Sequence, residues 1–121
     1  MRISPKNIYN ELPCSIVAVG CAVGERNGRI IEAPKGLKYN GYLPLNDMNR
    51  YIRSLLPIQK KEYFKRGERP LLKDILPGND RKAVVCLLGH YVYIDGEDYY
   101  SFFKNEMDPV VCIWWIKNDQ N

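Results

Sequence analysis

Apolar positions change their period along this chain, and the change separates its elements. From Cys14 the run "CSIVAVGCAVGE" distributes Ile16, Val17, Val19, Gly20 and Val23 around a helix that is apolar on nearly every side, as a helix enclosed by a core must be. In "LNDMNRYIRSLLP" the apolar residues Met48, Tyr51, Ile52 and Leu55 recur at helical spacing among polar ones, which predicts a surface helix capped by Asn46 or Asp47. Two shorter helices are predicted from proline punctuation. "SPKNIYNELP" has Ser4 as cap, Pro5 at the first helical position and a stop at Pro13, and "RPLLKDILPG" lies between Pro70 and the pair Pro77-Gly78. The last third alternates instead. "KAVVCLLG", "HYVYID", "DYYSFF" and "VVCIWWIK" are β-branched and aromatic runs parted by turn residues, and they predict an antiparallel meander.

Two stretches have weaker patterns. "RNGRIIEAPKGLKYNGYLP" carries turn signals at Asn27-Gly28 and Asn40-Gly41 and reads as an irregular connection with a short strand at Arg29 to Glu32. "IQKKEYFKRG" suits an edge strand or an extended loop. With helices first and strands after, the fold class is α+β.

Length and composition narrow this picture. A chain of 121 residues, 45% of them hydrophobic, suits a single domain over residues 1–121. Its net charge of +4 is densest in "KKEYFKRGER", where acidic residues interrupt the basic ones; this is the composition of a solvated strand edge, and no specific nucleic-acid partner is expected. No run approaches the ~20 apolar residues that span a bilayer, and the first residues lack the apolar core of a signal peptide, so a cytoplasmic protein with no membrane partner is expected. Cys21, Cys86 and Cys112 lie in apolar runs and read as core. The absence of Cys-x-x-Cys spacing and the presence of one histidine argue against metal, and no cofactor is expected.

Cys14 differs from the other three cysteines because it opens a helix. Unpaired N–H groups and the helix dipole at that position favour a thiolate and predict a pKa drawn from ~8.5 toward neutrality. His90 is the only imidazole and hence the only candidate to exchange a proton with that thiol. If "DGED" (95–98) turns the hairpin, the residues that share the face of His90 are odd-numbered, between Ser101 and Asn105. Asn105, at the strand's end, ranks first as the group orienting the ring; Asp108 ranks second and the smaller Ser101 third.

"PCSIVAVGCA", followed by "LLKDIL", a Pro-Gly turn, an apolar strand and "GHYVYIDG", resembles the papain-like cysteine peptidases, most closely the bacteriocin-processing (double-glycine) type. In that family a cysteine opens the central helix, Gly-His begins a strand, and Asn or Asp follows about 15 to 18 residues beyond the histidine, where this chain has Asn105 and Asp108. The resemblance implies an N-terminal buried helix packed on a C-terminal antiparallel sheet, and a cysteine peptidase acting on a peptide or protein substrate through Cys14, His90 and Asn105 or Asp108. Where the family carries Gln about six residues before the cysteine this chain has Ile8, and Asn10, or else Asn7, becomes the candidate oxyanion donor together with the backbone N–H of Cys14. A thiol amidase or acyl transferase, or an inactive domain of the same fold that binds a partner protein, are the alternatives. The small size and missing export signal suit a phage-encoded protein acting inside a bacterial host. The oligomeric state is not indicated.

Overall fold

The computed structural model describes residues 1–6, 12–27 and 44–118. Among the described residues three layers build the fold: two helices, a six-stranded sheet, and a short helix on the opposite face. In chain order the elements are β1 (Arg2–Ile3), α1 (Cys14–Asn27), α2 (Leu45–Leu55), β2 (Ile58–Tyr63), α3 (Leu72–Ile75), β3 (Lys82–Leu87), β4 (His90–Asp95), β5 (Asp98–Tyr100) and β6 (Val110–Ile116). The α+β class follows from this order. The predicted strand at 29–32 and most of the helix predicted over 4–13 lie outside the described residues; Ser4 to Lys6 carry no regular element.

Helix α1 begins at Cys14 and is enclosed as its composition requires, with every residue from Ser15 to Val23 buried. Ile16, Val19, Ala22 and Val23 pack in one cluster with Tyr91, Tyr93, Cys112 and Trp114 from the sheet. Each fully buried Val or Ile contributes roughly 1.5–3 kcal/mol, so this face anchors α1 firmly. Helix α2 joins the cluster through Met48 and Ile52, and Trp114 Nε1 donates to Asn49 Oδ1 at 3.0 Å. The cap expected at Asn46 or Asp47 is instead Pro44, which supplies no side-chain hydrogen bond; its carbonyl accepts from Met48 N at 2.9 Å.

The strand order is β1-β5-β4-β3-β6-β2. Strands β3, β4 and β5 form the expected meander, but β6 returns along the other side of β3, with Val84 opposite Trp114 and Cys86 opposite Cys112. A strand as apolar as "VVCIWWI" removes the most apolar surface from water in the sheet interior, and six of its seven residues are buried. The sheet is mixed, not purely antiparallel, because the short β1 joins β5 in parallel, with Arg2 opposite Tyr99. Strand β2 is the opposite edge, with Gln59, Lys60 and Lys61 exposed, in keeping with the charged edge read from its composition.

Alternation divides the sheet's side chains. Tyr91, Tyr93 and Trp114 face α1, whereas Val92, Ile94, Tyr99 and Ile113 pack with Leu72 and Leu76 around α3. The two tryptophans separate as adjacent strand residues must: Trp114 is fully buried, and Trp115 packs against the α3-side cluster with Nε1 donating to Glu62 at 3.0 Å. Among the described residues no helix is long and apolar enough to cross a membrane.

Candidate active site

Cys14 and His90 line the same cleft, of about 330 Å³, together with Ser101 and the apolar side chains of Val17, Tyr91, Phe102 and Phe103. Each reaches it by being the first residue of an element. Cys14 opens α1 behind Pro13, whose carbonyl accepts from Val17 N at 2.9 Å and starts the helix. His90 opens β4 after the tight Leu88-Gly89 turn, where Gly89 takes a φ of +82° that a side chain would strain. The residue after His90 is also drawn in, since the Tyr91 N–H acts on the Cys14 sulfur.

A chain of hydrogen bonds runs outward from the imidazole. His90 Nε2 lies 3.2 Å from Ser101 Oγ; Ser101 Oγ donates to Asn105 Oδ1 at 2.5 Å; Asn105 Nδ2 donates to Asp108 Oδ2 at 2.7 Å. The three candidates for orienting the ring all lie along this chain, but the first-ranked, Asn105, is not the one hydrogen-bonded to the ring. Ser101, ranked last for its size, touches the ring, while Asn105 is one step further out and Asp108 two. The register explains this. Strand β5 ends at Tyr100, before the hairpin reaches Asn105, and an extension of its pairing would set position 103 opposite His90. Phe103 is there, edge-on to the imidazole with centroids 5.9 Å apart, and Ser101 lies on the face that His90 shares.

Residues 101–109 are irregular yet anchored. The first turn of α3 has unpaired N–H groups, and the loop caps them: Leu72 N donates to the Asp108 carbonyl at 3.0 Å and Lys73 N to the Glu106 carbonyl at 2.9 Å. Asn105 N donates to the Tyr99 hydroxyl at 3.2 Å, and that hydroxyl is hydrogen-bonded to the Glu106 carboxylate. Ser101 and Asn105 are both buried. Nothing in the sequence pattern pointed to Tyr99 as an anchor, because a strand tyrosine with a buried hydroxyl looks like any other core aromatic.

The electrostatics differ from one expectation. The Cys14 thiol is pushed up from its ordinary value, not down: burial dominates, and the N–H groups of Tyr91, Ser15 and Cys14 itself only partly offset it. The helix start therefore acts in the expected direction and is outweighed by desolvation. His90 is shifted down, again chiefly by burial, with the Asp108 charge opposing. Both shifts favour the neutral form. Cys21, Cys86 and Cys112 are buried as read from their surroundings, which leaves Cys14 as the half-exposed thiol. Asn10 and Asn7, the candidate side-chain oxyanion donors, lie outside the described residues. Among the described residues no cluster of three or more His, Cys, Asp or Glu side chains could hold a metal ion. Compared with known proteins, the chain matches no family model, no curated protein and no solved structure.

Proposed function

We propose that this chain is a thiol hydrolase of papain-like arrangement that cleaves a peptide or isopeptide bond. The observation that carries the reading is that Cys14 and His90, each the first residue of its element, line one cleft. In this account the imidazole takes the proton from the Cys14 S–H as the sulfur attacks the substrate carbonyl carbon. The tetrahedral intermediate collapses with cleavage of the C–N bond, and His90 returns the proton to the departing amine. Water, deprotonated by the same ring, then opens the thioester, restores the thiol and releases the acid. A neutral thiol and a neutral imidazole lining one cleft suit general-base activation on substrate arrival better than a standing thiolate, and both shifts point that way.

Asn105 and Asp108 support the ring from behind, and the Asp108 charge favours the imidazolium formed during attack. The backbone N–H of Cys14, with Asn10 as a side-chain donor, would receive the oxyanion; removing one such donor costs about 10²–10³ in rate. An acyl group on Cys14 passed to an amine instead of water would make the same site an amide-forming transferase. The test is a peptide library incubated with the whole chain and read by mass spectrometry. Cleavage that is lost in both Cys14→Ala and His90→Gln supports the reading, and cleavage that persists in Cys14→Ala ends it.

A further inference from the structure

The hydroxyl of Ser101 has one proton and two lone pairs to offer, and the fold uses all three. Its proton goes to Asn105 Oδ1 at 2.5 Å. One lone pair takes the N–H of Phe103 at 3.2 Å. What remains toward His90 Nε2, 3.2 Å away, is a lone pair, so the ring must be the donor in that contact. The direction is not reversible by turning the Asn105 amide, because the Asp108 carboxylate can only accept and holds the NH₂ end at 2.7 Å. Every bond in the chain thus points away from the ring and toward the Asp108 charge.

From this geometry we infer that Ser101 is the positioning residue of the site: it fixes neutral His90 as the Nε2–H tautomer and leaves the Nδ1 lone pair as the base, with Asn105 and Asp108 acting through it. The inference deepens the thiol-hydrolase reading and rests on it only for what the base is used on. An asparagine facing the ring directly would have to be kept from presenting its NH₂ end. A serine faces either way equally well, and here Asn105 and Asp108 determine which way. When Nδ1 gains a proton the outward bonds stay as they are, so no group has to turn over during attack. The preorganisation lies in the buried pair Ser101 and Asn105, which water cannot easily rearrange.

His90 is the only histidine in the chain, so histidine labelled with ¹⁵N gives one imidazole and no assignment problem. In the whole unmodified protein, above the ionisation of the ring, the spectrum should show one tautomer, protonated at Nε2, with that proton protected from water exchange. Ser101→Ala should raise its exchange rate about tenfold, the effect of losing one hydrogen bond, and Ser101→Thr should restore protection. Asn105→Ala gives an independent check: it frees the serine proton to turn toward the ring and should raise the Nδ1–H share, which a purely structural role would not do. A ring protonated at Nδ1 in the unmodified protein overturns the inference, as does a tautomer ratio unchanged in Asn105→Ala. Because no substrate is involved, an inert Cys14 would end the hydrolase reading and leave this result standing.

Discussion

Asn105 gives its side-chain amide to Asp108 at 2.7 Å, and this one contact sets the direction of the amide and brings a carboxylate into the surroundings of the imidazole. Asp108 is the charge that opposes the burial of His90. Asp108→Asn retains an oxygen that can accept from Asn105 and removes the charge. The ring pKa should therefore fall further below its ordinary 6.5, observed as an NMR titration of the single imidazole. An unchanged or higher value would detach Asp108 from the ring.

The same burial makes stability depend on pH. The pKa of folded His90 lies below the ordinary 6.5 of the unfolded chain, so between the two values the unfolded state binds more protons. Stability should hold above 6.5 and decline as pH falls through the lower folded value. Urea midpoints compared between about pH 7.5 and about pH 5 should drop more for the unmodified protein than for His90→Gln. Equal drops in the two proteins would assign the dependence to other groups.

Tyr99 ties the loop bearing Asn105 to β5 through a buried hydroxyl that accepts the Asn105 N–H. Tyr99→Phe preserves the ring's packing and leaves that N–H without its acceptor. The expected loss is about 1–3 kcal/mol of unfolding free energy by urea titration. It should come with weaker protection of the Asn105 amide in hydrogen exchange. A variant as stable as the unmodified protein would mean that the Tyr99 hydroxyl plays no part in holding the loop.

The elements that were legible in the sequence are those whose burial is one-sided or total. The run "CSIVAVGCAVGE" is legible as a helix because it is apolar on nearly every side, and α2 because of Met48, Ile52 and their spacing. The strands from Lys82 onward were legible as runs, but their order was not. Whether "VVCIWWI" continues a meander or crosses to the far side of β3 depends on which position buries both of its faces, a property of the assembled sheet. Strand β1 is two residues long, too short for any period to show. At the site, helix position and hairpin register pointed to Cys14 and His90 and to the segment holding Ser101, Asn105 and Asp108. The order of those three around the ring depended on where β5 stops, which strand propensity in "DYYSFF" did not reveal. The direction of the Cys14 shift is hidden in the sequence for a related reason: the helix start is visible there, whereas the desolvation that outweighs it arises only in the folded chain.

The most direct test of the central claim is the rate at which a small thiol-alkylating reagent modifies Cys14 at neutral pH, with the labelled residue located by mass spectrometry. The account predicts modification at Cys14 before the buried Cys21, Cys86 and Cys112, slowed by about 10²-fold or more in His90→Gln, as expected for loss of a general base. Equal rates in the two proteins, or a Cys14 that reacts no faster in the folded chain than its buried counterparts, would contradict it.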